Sequence, residues 1–313
     1  MNKGQNRDHG GGLDAAVAQF GGEKSDWIDL STGVNPSPYP LPELSPQIWN
    51  SLPDRTAQNH LLNAARKFWN VPDGAAILAA PGASSLIAKI PALAPPTRVT
   101  IPTPTYNEHA AAFAAHRWQI NTGTSAARVV VHPNNPDGRF WDDLTPTGAL
   151  TIIDESFCDT SPDRSLVNLS TRPNTLVLKS FGKFWGLAGL RLGFAIGDPV
   201  LIAKLTEYLG PWPVSGPALT IGAAALGNQN WATNTRARLT KDAARLDTLM
   251  ATSGADPIGG TILFRLYKVD NARNWQTRLA KSHIWTRNFP YSDNWLRLGL
   301  PPAHGWPQLA AAL

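Results

Sequence analysis

One cysteine, Cys158, stands in a chain of 313 residues. A lone thiol excludes an intrachain disulfide framework and fits a reducing cytosol. Charge is scarce too: 16% of residues are charged against 42% apolar, which excludes a disordered chain and leaves material for a substantial core. No run of about 18 apolar residues occurs, so no membrane-spanning helix is expected. The opening, residues 1–12, is polar and glycine-rich, unlike a secretory leader. The seven histidines show no metal-ligand spacing such as His-x-x-x-His, and there is no internal repeat. A net charge of +5 without a long basic run points to a small anionic ligand rather than nucleic acid. Tryptophan, by contrast, is plentiful: twelve are present, and they read mainly as core or interface packing.

The most informative stretch is residues 180–193, Ser180-Phe-Gly-Lys183-Phe-Trp-Gly-Leu-Ala-Gly-Leu-Arg191-Leu-Gly193, bracketed by apolar runs at 175–178 and 190–196. A lysine alone in such a loop reads as an exposed surface residue. The serine three residues before it and the arginine eight after it reverse that reading. Together they suit pyridoxal phosphate (PLP): Lys183 for the Schiff base to the cofactor aldehyde, Arg191 as a planar fork for the phosphate, and Ser180 as a hydroxyl donor to the same group. The segment resembles the lysine loop of the fold-type I, aspartate-aminotransferase-like PLP enzymes. Within them it resembles most the threonine-phosphate decarboxylases of cobalamin biosynthesis, whose relatives include histidinol-phosphate aminotransferase. The resemblance runs from about residue 7, in the opening Arg7-Asp8-His9-Gly10-Gly11, to about residue 301.

Strands are expected at 76–80, 98–101, 128–131, 150–153, 175–178 and 190–196, with helical segments between them, and a further strand is expected at 259–265 in the small domain. That alternation indicates an α/β layered domain on a mostly parallel sheet, whose ligands lie beyond the carboxyl ends of the strands. Four motifs fall at such ends. Gly82-Ala83-Ser84 closes one strand and opens a helix, a ready anion site and the family's phosphate-cradling turn, although an ordinary N-cap by Ser84 or Ser85 fits equally on local grounds. Tyr106, after two prolines, sits where the resemblance implies a ring stacked on the cofactor's pyridine; alone it reads as loop packing. Asn135, in His132-Pro-Asn-Asn135-Pro136-Asp137-Gly138, is the implied donor to the cofactor's phenolate oxygen, with Asp137 replacing the family threonine. Asp154 follows a buried apolar run and needs a partner, which a protonated pyridine nitrogen supplies.

Two departures from the family stand out. Leu52 takes the place of a tyrosine that reaches the neighbouring subunit's PLP phosphate, and Phe157 replaces a second phenolate donor. For substrate, Arg297 lies between leucines on a strand and needs an anion, and Arg287 is positioned to join it; Asn35 lies in the segment that covers the site in the family. A structural salt bridge for Arg297, and a simple turn for Asn35, are the competing readings.

The expected fold class is thus α/β, a fold-type I PLP-dependent transferase. Its large domain spans 50–228 around a mostly parallel central sheet, and its small α+β domain joins 1–49 to 229–313. The resemblance implies a cytoplasmic homodimer that binds neither nucleic acid nor membrane, holds PLP and no metal, and takes a small anionic amino-acid phosphate. The implied reaction is decarboxylation of L-threonine O-3-phosphate to (R)-1-aminopropan-2-yl phosphate. A histidinol-phosphate-type aminotransferase would use the same cofactor residues. A non-catalytic PLP-binding regulatory module would need a DNA-binding segment ahead of the fold, and none is patterned there.

Overall fold

The computed structural model describes residues 9–121, 123, 125–142, 144–145 and 149–313; Arg7 and Asp8 of the opening motif lie outside the described residues. The first part of the chain forms α1 (Leu13–Phe20), β1 (Ile28–Asp29), α2 (Gln47–Asn50), α3 (Arg55–Phe68), β2 (Ala76–Ala80), α4 (Ala83–Lys89), β3 (Arg98–Thr100), α5 (Asn107–Ala115), β4 (Gln119–Asn121) and β5 (Ala127–Val131). It continues through β6 (Leu150–Asp154), β7 (Thr175–Ser180), β8 (Gly193–Gly197), α6 (Pro199–Leu209), α7 (Gly216–Gly227) and α8 (Gln229–Thr252). The last part holds β9 (Asp256–Thr261), β10 (Phe264–Lys268), α9 (Ala272–Ala280), β11 (Ile284–Trp285), β12 (Arg287–Phe289), β13 (Ser292–Gly299) and α10 (Trp306–Ala312).

Two compact units result. The larger comprises Pro38–Asn135 and Arg139–Thr235; the smaller comprises the described part of Met1–Ser37 with Pro136–Gly138 and Arg236–Leu313. These bounds differ from the expected 50–228. Tyr39 carries the proline-rich stretch after Ser37 into the larger unit, donating from its amide to Trp185 O at 2.9 Å and from its hydroxyl to Ala224 O at 3.2 Å. Trp231 stacks on Trp185 at 5.2 Å and brings the start of α8 with it. Residues 136–138 go to the smaller unit because Asp137 O accepts the Gly260 amide at 2.9 Å.

The larger unit is built on a seven-stranded sheet in the order β2-β8-β7-β6-β5-β3-β4. Strand β8 runs antiparallel to both neighbours, and every other pair is parallel. Strands β6 and β8 are buried along their whole length and β7 along all but its last residue, with no in–out alternation, as expected when both faces are covered. Leu86 and Ile87 of α4, Phe113 of α5 and Leu201, Ile202 and Leu205 of α6 pack against Val129, Ile152, Leu176, Leu178 and Ala195 of the sheet.

Two expected strands need correction. The 190–196 run starts only at Gly193, because Ala188–Leu190 form a 3-10 turn and Arg191 takes a left-handed backbone (φ 54°). The run at 259–265 is a hairpin rather than one strand: β9 and β10 pair antiparallel with Thr261 opposite Phe264, and Thr261 Oγ1 accepts the Leu263 amide at 3.1 Å. In the smaller unit β12-β13-β10-β9 form one antiparallel sheet, and β1 pairs parallel with β11.

Candidate active site

Gly82, Ala83, Ser84, Tyr106, Asn135, Asp154, Ser180, Lys183 and Arg191 all line a single pocket of the larger unit. They reach it from the carboxyl ends of β2, β3, β5, β6 and β7 and from the segments that follow, where a parallel sheet leaves room for ligands.

One end of the pocket is cationic and backbone-lined. At Gly82 (φ 82°) a Cβ would stand 2.7 Å from Arg191 Nη2, so a glycine is needed for the close approach as well as for the dihedral. A Cβ on Gly193 would lie 2.4 Å from the Ala83 nitrogen, which sets β8 tightly against the first turn of α4. The competing N-cap reading fails here: α4 has no side-chain cap, Ser85 Oγ turns back to donate to Gly82 O at 2.8 Å, and Ser84 is left exposed. Arg191 donates to Ala188 O at 3.2 Å, and among the described residues no carboxylate pairs with it. Holding a non-glycine residue in the left-handed region costs about 1–2 kcal/mol. A guanidinium kept there without a carboxylate among the described residues, beside a glycine cradle, has the charge and the open backbone to suit an anion such as a phosphate.

The other end is anionic. Asp154 is 2% exposed; its Oδ2 lies 2.8 Å from His109 Nε2, and its Oδ1 accepts the Ser156 amide at 2.9 Å and the Ser156 hydroxyl. Burial alone would raise the carboxyl's pKa. The His109 hydrogen bond and charge, with the two Ser156 bonds, outweigh burial and hold it below the ordinary value of 3.8. A carboxylate kept ionised at the bottom of a pocket favours a cationic ligand atom such as a protonated ring nitrogen. His109 and Ser156 were not singled out from sequence. His109 follows Tyr106 by three residues on the first turn of α5, but nothing in that local window shows which strand it will face.

Lys183 lines the same pocket, its Nζ 5.3 Å from the centroid of Phe157, the residue that replaces the family tyrosine. Its loop is anchored by neighbours: Phe181, Phe184 and Trp185 are all fully buried. Trp185 stacks on Phe181 at 5.0 Å and donates from its indole to Asp159 at 3.0 Å. Trp69 also donates to Asp159, at 2.8 Å. The nearby Lys179 is not a competing amine. It is 1% exposed and paired with Glu155; burial alone would lower its pKa, but the charges of Glu155 and Asp159 prevail and push it above the usual lysine range.

Asn35, Arg287 and Arg297 belong to the smaller unit. Asn35 is buried, and its Oδ1 accepts from Arg238 Nη2 at 2.7 Å and from the Ser37 amide at 3.0 Å. Arg297, 5% exposed, donates to Ser31 O at 2.6 Å, and its guanidinium lies over the Phe264 ring at 5.2 Å. Arg287 donates to His9 O at 2.6 Å and lies over Phe289 at 5.4 Å. The two arginines stand directly opposite each other in the β12–β13 pair. Like charges facing across a strand pair repel unless an anion lies near both.

A mostly parallel sheet with one antiparallel strand, and a pocket that joins an anion-suited turn, a lysine and a buried aspartate, define a class. The chain belongs to the class I and II aminotransferase family, whose profile (Aminotransferase class I and II) matches residues 25–313. More particularly, it is similar to the threonine-phosphate decarboxylase of a Sinorhizobium species, at 40% identity over 97% of each chain. It is also similar to the threonine-phosphate decarboxylase of Pseudomonas aeruginosa, at 36% identity over 98% of this chain and 97% of the relative. Among solved structures, histidinol-phosphate aminotransferase from Sinorhizobium meliloti in complex with pyridoxal-5'-phosphate superposes with a TM-score of 0.80 at 19% identity, over 97% of this chain and 93% of that one.

Proposed function

We propose that this chain is a PLP-dependent carboxy-lyase. It converts L-threonine O-3-phosphate to (R)-1-aminopropan-2-yl phosphate and carbon dioxide, a step of cobalamin biosynthesis. The observation that carries the reaction is the near-full-length similarity to two threonine-phosphate decarboxylases at 40% and 36% identity.

The residues fit the cofactor. Arg191, Ser180 and the Gly82–Ser84 turn would hold its phosphate, and the Gly82 cradle, which a Cβ would fill, is shaped for that group. Asp154, kept ionised by His109, would hold a protonated ring nitrogen, Tyr106 would face the ring, and Asn135 would donate to its phenolate oxygen. Bound there, PLP supplies an electron sink for the carbon that loses its carboxylate. Lys183 would be the amine that anchors the cofactor, and once the substrate amine has displaced it, its Nζ would deliver the proton that replaces carbon dioxide. Arg297, joined by Arg287, orients the substrate through its phosphate or carboxylate so that the bond to be broken is correctly presented.

We further propose a cytoplasmic homodimer. Leu41, Trp49 and Leu52 are 63%, 69% and 67% exposed within one stretch of the larger unit, an apolar surface suited to burial against a second copy. The lone cysteine is buried, which fits a reducing compartment.

The arginine assignment has a direct test. Arg297→Ala should raise KM for L-threonine O-3-phosphate by at least about tenfold, the loss of one charge-assisted hydrogen bond, and leave PLP affinity unchanged. An unaltered KM would make the arginine structural.

A further inference from the structure

The loop that carries Asn135 is not secured by regular strand pairing; beside the backbone bonds from Gly260 N to Asp137 O and from Asn134 N to Arg139 O, side chains fasten it. Its neck is closed at Trp141, whose backbone N–H donates to His132 Nδ1 at 3.0 Å and whose indole Nε1–H donates to Val131 O at 3.0 Å. The opposite ring nitrogen of His132, Nε2, lies 2.7 Å from Arg164 O. One nitrogen therefore accepts and the other donates, which fixes a neutral ring with its proton on Nε2. His132 is 1% exposed, so no water substitutes for either bond. Inside the loop Asn134 completes the attachment: its amide donates to Arg139 O at 2.8 Å, its Oδ1 accepts from Thr105 Oγ1 at 2.6 Å, and its Nδ2 donates to Pro104 O at 3.0 Å. The residue before Asn135 is thus tied to the segment just ahead of Tyr106.

The charged and titratable groups facing His132 are Glu155, Lys179, Arg164 and Cys158. The ligand atoms of His132, Glu155 and Cys158 lie within 4.8 Å of one another, a spacing that suits a metal. Both histidine nitrogens are already engaged, however, and Glu155 is taken by Lys179, Ser165 and the Leu166 amide. The cluster is a fastening rather than a metal centre. Burial is the main cause that lowers the His132 pKa, which agrees with the neutral ring that the hydrogen bonds require.

We propose that His132 is a positioning residue for Asn135: by bridging the Trp141 amide and the Arg164 carbonyl, it sets the place from which Asn135 meets the cofactor. This rests on the assignment of Asn135 as the donor to the cofactor's phenolate oxygen. His132 itself touches neither cofactor nor substrate in this account.

The discriminating set is His132→Phe, which keeps the ring and loses both nitrogens, His132→Asn, which keeps an acceptor near Nδ1, and Asn135→Ala. Three readouts apply: hydrogen exchange over residues 132–141 in the PLP-free protein, the pH midpoint of the bound cofactor's colour change, and kcat. His132→Phe is expected to raise exchange, to move the midpoint in the same direction as Asn135→Ala, and to lower kcat by about tenfold to a hundredfold, the usual cost of misplacing a site group by an ångström. His132→Asn, which keeps the Trp141 bond and loses the one to Arg164, should restore all three in part. In the Asn135→Ala background His132→Phe should add no further shift, because the two act as one unit. A His132→Phe protein with lowered Tm but an unmoved midpoint, or shifts that add in full, would overturn the proposal. An unmoved midpoint in Asn135→Ala itself would overturn it too, and would identify the Asn135 assignment as the fault. Should His132→Phe not fold, His132→Gln, which reaches Arg164 O and not the Trp141 amide, takes its place with the same expected outcomes.

Discussion

At Asp154 a single side chain determines what the pocket can attract. Asp154 is only 2% exposed; burial alone would raise its pKa and favour the neutral form, which has less preference for a cationic ring. His109 changes that balance. Because the folded pKa of Asp154 lies below the ordinary 3.8, the stability it contributes is present above that value and lost as pH falls through the folded value. His109→Ala removes the largest opposing influence and leaves burial to raise the carboxyl. The acid-unfolding midpoint of the PLP-free protein should therefore move to higher pH, and PLP affinity should fall by about tenfold, or 1.4 kcal/mol. An unchanged acid midpoint would show that His109 does not hold the carboxylate ionised. From sequence, Asp154 was legible because it ends an apolar run, whereas His109 was not, because nothing in a local window shows which strand a helix residue will face.

Among elements, β6 and β7 with the loop after them do most to shape the site. Their adjacent ends carry Asp154 and Ser180, and the buried Lys179–Glu155 pair ties one strand to the residue just past the other. Removing one partner strands a charge in the core. Lys179→Met should cost about 3–5 kcal/mol of stability, seen as a lower urea midpoint, and adding Glu155→Gln should recover part of it. Equal midpoints for wild type and Lys179→Met would remove this pair from the account. The strands themselves were readable because a parallel sheet covered on both faces demands unbroken apolar runs, and the motifs fell at their carboxyl ends. The left-handed Arg191 and the β9–β10 hairpin were not: a backbone dihedral at an arginine has no compositional mark, and Gly259-Gly260-Thr261 reads as strand until its pairing partner is known.

For the molecule as a whole, the sequence carried the fold class and the nine residues that line the pocket, while the compact units are bounded differently from the expected 50–228. That boundary depends on where Tyr39 and Trp231 find partners far away in the chain, which no local pattern records. The exposed Leu41, Trp49 and Leu52 bear on assembly. Sedimentation velocity at micromolar concentration should show a dimer, and Trp49→Glu should shift it toward monomer; a monomeric wild type would contradict the proposed interface. The cofactor residues serve decarboxylation and transamination alike, so the reaction itself is the most direct test. Purified protein loaded with PLP should be given L-threonine O-3-phosphate with no keto acid present, while carbon dioxide and the amine are followed. The account predicts sustained release of carbon dioxide with an equal amount of 1-aminopropan-2-yl phosphate. No carbon dioxide, together with amino transfer from histidinol phosphate to 2-oxoglutarate, would contradict it.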